Sequence, residues 1–377
     1  MSIFVDYMSA SDSDIYDLLV SSKQRLTEAV LQGLARDRGI FCSARESRED
    51  LADYLSILPH AYQDIEGILQ RREPLHRREK TASTRLKADI PLEELKAAAD
   101  EYAKSVAGSE GVVHRPKGNG FQVSVTYDEF NHSRTRLLQR ERHEAVIEFI
   151  NEGGEVVIRR PATEKAKRIA EAIKGSVERK RKTLIEAEAI ELVGLASPGA
   201  RSKFFTKLIS SLEGFKLMNV MNLKVSSADS EDEGDDYGID LEDPKGENAA
   251  SQEMLAAVHS MSLSGNNLVQ SREYRDLTSR GFFITSISWR SERVGANNEI
   301  VQFEAGFEDR KLGTGFRYSV QGVFRLHKGA HRKVSTPVNE VEKIELFELL
   351  EKTARKILVE LREEGDSGTP TGERAAG

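Results

Sequence analysis

The chain has 377 residues, of which 38% are hydrophobic and 31% charged, and its net charge is −7. That is enough apolar material for two or three domain cores in a fairly polar protein. No run of about 18 apolar residues occurs, so no membrane-spanning helix is expected, and with Cys42 as the single cysteine, internal disulfides and cysteine-based zinc clusters are excluded.

Residues 11–70 read as helical, because Leu26, Val30 and Leu34, and then Leu51 and Leu55, recur at helical spacing. Gly39 can end one of these helices, and Ser47 with Asp50 can cap the next. The basic stretch RREPLHRREKTASTRLK (71–87) contains Pro74 and reads as an exposed connector. A mixed α/β region is expected over 88–225. In it PLEELKAAADEYAKSV (91–106) is a helix, and GFQVSVTY (120–127) alternates as a half-buried strand does. RTRLLQRERHEAVIEFINEGG (134–154) reads as a helix ended by Gly153. EVVIRR is a strand, and TEKAKRIAEAIKGSVERKRK is a basic helix capped by Thr163. LIEAEAIELV suits a strand or a helix, ARSKFFTKLISSL is a helix, and FKLMNVMNLKV ends in a strand.

The acidity is concentrated in one place. Residues 229–247 hold ten Asp or Glu and one Lys, a net of −9, and without them the chain stands at +2. Such a stretch, at about 226–250, is expected to be a disordered linker. From 251 to 364 one or two helices precede three strands, GFFITSISWR, EIVQFEAGFE and FRYSVQGVFRLHK, whose turn-rich joints suggest an antiparallel meander. A helix from Val338 to Glu364 carries Val341, Ile344, Phe347, Leu350, Ala354, Ile357, Leu358 and Leu361 on one face, which should cover the meander. Residues 365–377 are expected to be a disordered tail. The fold class is therefore α+β. Its parts are an N-terminal helical module with connector (1–87), a mixed α/β domain (88–225) and a meander packed on a long helix (251–364).

LTEAVLQGLARDRGIFCSARESREDLADYL, within residues 25–56, resembles the SAP and LEM-like helix–extension–helix modules, many of which bind DNA. The matching features are Leu26, Val30 and Leu34, the Arg38-Gly39 break, Ile40, Ser43 and Arg45 in the extension, and Leu51 and Leu55. The segment between Ile40 and Leu51 is longer than usual, and the lysine-rich second helix of many DNA binders is absent. The resemblance implies docking to nucleic acid or protein, with Arg36, Arg38, Arg45 and Arg48 meeting phosphates.

Two further basic groups are candidates. Arg159-Arg160 at a strand end and Arg179, Lys180, Arg181 and Lys182 at a helix end could form one ridge. In FRYSVQGVFRL, the residues Phe316, Tyr318, Val320, Phe324 and Leu326 share one face of the last strand. Arg317, Ser319, Gln321, Arg325 and His327 share the other, and Lys328, His331, Arg332 and Lys333 follow. Aromatics on the core side favour contact with the nucleic-acid backbone over base stacking.

Enzyme signatures fail: there is no phosphate loop, nucleophile elbow or H-E-x-x-H pair. No cofactor or metal is expected. A metal nuclease would need scattered acids such as Glu299, Glu304 and Asp309 with Lys311. The pattern points to a non-catalytic nucleic-acid-binding protein, with DNA the expected partner. It would be an accessory component of a larger cytoplasmic system, with no membrane partner. The alternative is an adaptor subunit that docks an enzymatic protein partner through its amphipathic helices.

Overall fold

The computed structural model describes residues 10–72, 79–132, 136–227, 260–264, 269–295 and 298–367, apart from single positions 22, 24, 44, 196, 270 and 328. Most of the expected acidic linker and tail, at 228–259 and 368–377, lies outside the described residues. The chain is α+β and divides into two compact units. One comprises residues 1–78, 99–114 and 123–146, the other residues 79–98, 115–122 and 147–377.

The first unit starts with four helices: α1 (Asp12–Val20), α2 (Glu28–Asp37), α3 (Arg48–Ser56) and α4 (Tyr62–Arg72). Ser11 with Asp14 and Ser47 with Asp50 form capping boxes at α1 and α3, which satisfy otherwise unpaired amides in the first turn. Gly39 follows α2 at φ +74°, a left-handed position that a side chain would strain. Leu18, Leu19, Leu26, Leu31, Leu51, Leu55, Ile65 and Ile68 interlock into one core.

The stretch expected to be a helix at 134–154 is instead the long strand β4 (Arg140–Glu152) after a 3-10 turn at Arg136–Leu138. Its Ala145, Ile147 and Phe149 are buried at period two. Abundant Glu and Arg suggested a helix, but pairing with neighbouring strands overrode that preference. The elements between are β1 (Thr81–Leu86), α5 (Leu92–Ser105), β2 (Gly111–Lys117) and β3 (Gly120–Phe130). The expected exposed connector at 71–87 therefore contains β1, whose Ala82, Ser83 and Leu86 are buried.

The second unit is built on an antiparallel sheet. Its further elements are β5 (Glu155–Pro161), α6 (Glu164–Arg181), β6 (Ala187–Ala189), α7 (Pro198–Ser210) and β7 (Phe215–Ser227). Then come β8 (Ser260–Ser264), α8 (Arg272–Ser279), β9 (Phe282–Arg293), β10 (Ile300–Asp309) and β11 (Thr314–Phe324). The hairpin β12 (Leu326–His327) and β13 (Ala330–His331) and the helix α9 (Glu340–Ser367) complete it. From the end of β4 the strand order is β4-β5-β1-β11-β10-β9-β7-β8, with β6 beside β1. Strands read as belonging to 88–225 and to 251–364 thus pair directly, β7 with β9, and β1 of the expected connector pairs with β11.

The expected meander is β9-β10-β11, and its helix is α9. Trp289, Phe303, Ala305, Phe316 and Tyr318 line one sheet face and share a core with Phe204, Phe205 and Leu208 of α7 and with Leu350, Ala354 and Leu358 of α9. Val341, expected on the covering stripe, is 69% exposed. The alternation of β11 is broken by a bulge: Phe303 pairs with Val320 but Gln302 pairs with Gly322, leaving Gln321 as the extra residue. Beyond it Val323 faces the core, and Phe324 turns to the opposite side. The assignment of Phe324 to the core face is corrected accordingly.

Candidate nucleic-acid interface

Several of the predicted cations serve the fold. Arg48 is buried: its Nε donates to Leu26 O at 2.9 Å and its Nη2 to Leu19 O and Val20 O at 2.7 and 3.2 Å. It caps the carbonyl end of α1, where a cation is favoured, and is largely withdrawn from solvent. Arg38 is held by Asp64 at 3.0 Å, by Pro59 O and by His60. Arg36 and Arg45 are the exposed arginines of this set.

Arg159 is 3% exposed and grips Glu351 of α9 with Nε and Nη2 at 2.9 and 3.1 Å. Its site assignment falls for the same reason as that of Arg48. At the end of α6, Arg181 is tied to Glu94 at 2.6 Å and to Asp89 O, and Lys180 reaches Ala97 O. Arg179 and Lys182 are exposed, Lys182 as the left-handed C-cap residue at φ +54°. These four cations thus partly anchor α6 to α5.

The bulge also splits the basic set of the last strand. Arg325 lies on the helix-covered side, held by Glu299 at 3.0 Å and Glu342 at 2.8 Å. Arg317, Ser319 and Gln321 remain on the polar face. Arg332 and Lys333 are exposed after the β12–β13 hairpin, and Lys328 lies outside the described residues. The acids of a would-be nuclease do not converge. Glu299 is buried against Arg325, Glu304 points to the other face towards Gln321 and Lys80, and Asp309 caps Leu312 N. Among the described residues no three His, Cys, Asp or Glu gather as a metal site.

The sheet register assembles a surface that is scattered in the sequence. Arg160, Lys216, Lys224, Arg290 and Arg317, with Lys80 just before β1, project from the face opposite the α7–α9 core. Glu292, Glu304 and Glu308 are carboxylates of that face, and Glu164 and Glu171 of α6 lie beside Arg160. Asn219, Asn222, Ser286, Gln302, Ser319 and Gln321 fill the space between. Among the described residues, α7, α8 and α9 all contribute to the opposite core, and most of the polar side chains are half-buried rather than enclosed.

A hydrogen-bonded row crosses this face. Arg290 Nε donates to Gln302 Oε1 at 3.0 Å, Gln302 donates to Gln321, Gln321 donates to Glu304 at 2.8 Å, and Glu304 pairs with Lys80 at 2.7 Å. The Arg290 guanidinium lies over the Phe324 ring, 4.3 Å from its centroid. Burial, with no carboxylate beside it, lowers the Arg290 pKa. It remains cationic at neutral pH, because an arginine starts above 12.

In the helical unit a cavity of about 190 Å³ lies among Leu19, Leu34, Leu55, Arg38, His60 and Asp64. His60 Nε2 donates to Leu55 O at 2.8 Å, and Nδ1 therefore accepts from Arg38 Nη2 at 2.9 Å. Burial is the main cause that pushes the His60 pKa down, and Arg38 adds to it against the opposing pull of Leu55 O, Asp64 and Asp12.

No protein-family model matches this chain, and a search of the curated proteins returns no match. Sequence reasoning missed Lys80, Lys216, Lys224 and Arg290. Each lies on a different stretch of chain or strand position, and the one available signal was the polar phase of each strand.

Proposed function

We propose that this protein is a non-catalytic nucleic-acid-binding component of a larger assembly, and that the polar face of β11-β10-β9-β7 is its main contact surface. The supporting observation is that Lys216, Lys224, Arg290 and Arg317 share the face of β11-β10-β9-β7 opposite the α7–α9 core. Arginine forks and lysines on a flat polar face suit phosphate oxygens, and the interleaved amides suit sugar and base edges. The exposed Arg332 and Lys333 extend the positive charge beyond one end of the sheet. The helical unit is assigned an auxiliary role through Arg36 and Arg45, in keeping with its resemblance to SAP and LEM-like modules.

A gel-shift assay with single- and double-stranded DNA and RNA, at low and high salt, tests this. Retention that weakens steeply with salt is expected, because phosphate contacts release counterions. No shift at low salt with any of the four would refute it. One observation favours a second reading, an adaptor docking a protein partner: Val294, Leu326 and Val334 are 68%, 46% and 76% exposed. That reading predicts a stoichiometric protein complex and no retention on nucleic acid. Docking through the long helix is disfavoured, because α9 buries Leu350, Ala354, Ile357, Leu358 and Leu361 in its own unit.

A further inference from the structure

Phe324 reaches the polar face only because of the bulge at Gln321. There its ring is a floor for one side chain. The Arg290 guanidinium carbon sits 4.3 Å above it, and Arg290 Nε is fixed sideways by Gln302. Gln302 is fixed in turn by Gln321, and Gln321 by Glu304. A guanidinium held over an aromatic ring and bonded along one edge has lost much of its rotational freedom before any ligand arrives. The two Nη groups of Arg290 have no protein partner among the described residues, and no carboxylate holds the side chain. The planar cation thus has a second face and two donor edges still to use.

We propose that Arg290 is a stacking platform for an unpaired base, and that the strand crossing this face is single-stranded nucleic acid. The proposal rests on the nucleic-acid reading above and narrows it. A base inside a duplex has neighbours on both of its faces, so only an unpaired base can lie on a protein plane. Arginine suits this because its guanidinium is flat, delocalised and weakly hydrated, whereas a lysine ammonium is a hydrated point charge. The surroundings fit the same ligand. Asn219, cross-strand neighbour of Arg290, and Gln302 present amides next to the platform, and neighbouring strands stand about 4.8 Å apart. Lys216, Lys224 and Arg317 on the same face would meet phosphates on either side.

The test uses the full chain in fluorescence-anisotropy titrations. The probes are a short labelled oligothymidylate, an abasic strand of equal length and phosphate count, the matching oligouridylate and a duplex of the same length. Wild type should bind the base-bearing strands about tenfold tighter than the abasic strand, the order expected of one stacked base. It should also prefer them to the duplex. Arg290→Lys keeps the charge and removes the plane. It should equalise base-bearing and abasic strands while leaving the salt slope unchanged. Comparing the thymidine and uridine strands shows whether DNA or RNA is preferred. Equal wild-type binding to base-bearing and abasic strands, or tighter binding to the duplex, overturns the platform but leaves the broader nucleic-acid reading standing. A base preference that survives in folded Arg290→Lys overturns the role of Arg290. Absence of binding to every probe removes both readings. The wild-type comparison needs no variant, so a misfolded variant does not block the test.

Discussion

Arg159 of β5 and Glu351 of α9 are 192 residues apart in sequence and meet in a two-pronged buried ion pair at 2.9 and 3.1 Å. Tyr318 of β11 donates its hydroxyl to the same carboxylate, and its phenol is pushed well up in pKa by burial, with Glu351 adding to the effect. The cluster fixes the long helix to two strands at one register. Leaving one partner of such a pair unmatched costs about 3–5 kcal/mol. Glu351→Ala is therefore expected to lower unfolding free energy by about that amount in chemical denaturation. Arg159→Met with Glu351→Leu should recover most of it. A loss under about 1 kcal/mol for the single change would show that the pair is not desolvated.

Arg45 and Arg48 are three residues apart and have opposite fates. Arg48→Ala strands the carbonyls of Leu19 and Leu26, and each unmatched buried acceptor costs about 1–3 kcal/mol. Arg45→Ala changes an exposed side chain and should stay within about 0.5 kcal/mol. Denaturation midpoints of the two variants give the comparison directly, and equal losses would contradict this assignment.

These two arginines also show what a linear reading can and cannot see. Capping boxes at Ser47 and Asp50, the Gly39 stop and the alternation of β9, β10 and β11 are local, so the helical entry and the meander were legible. The strand at 140–152 was not, because Glu and Arg suit an exposed helix as well as a strand edge, and the partner strands decide. The bulge at Gln321 leaves no mark in composition, yet it reverses the side of Phe324 and Arg325. An arginine used to satisfy buried carbonyls looks the same in sequence as one presented to phosphate. Arg317 was found as a candidate, but Lys216, Lys224 and Arg290 come onto the same face as Arg317 only through the strand order.

His60 gives the helical unit a pH dependence. Folded His60 holds a proton less readily than its ordinary value of 6.5, so protonation favours the unfolded state. Its contribution to stability is complete above pH 6.5 and is lost as pH falls through the lower folded value. A proton on Nδ1 would also set two donors, Arg38 and His60, against each other. NMR titration should give His60 a pKa below 6.5. Part of the stability loss on acidification should be absent in His60→Gln. A His60 pKa at or above 6.5 would contradict the geometry.

The acidic stretch is expected to compete with nucleic acid for the basic face, given its net charge of −9. Deleting residues 229–243 should tighten binding at low salt and do less at high salt, where screening weakens the competition. A neutral linker of equal length is the control. Unchanged or weaker binding of the deletion variant at low salt would rule the competition out.

The most direct test of the nucleic-acid reading is the salt dependence of binding in wild type and in Lys224→Gln/Arg290→Gln/Arg317→Gln. Each lost phosphate contact should shrink the log–log slope by about 0.7 on a single strand. The triple variant should remain folded and bind more weakly with a shallower slope. Changing Arg179, Lys180, Arg181 and Lys182 together should have the smaller effect, because Lys180 and Arg181 already hold α5. A folded triple variant with wild-type affinity and slope would contradict the assignment of this face.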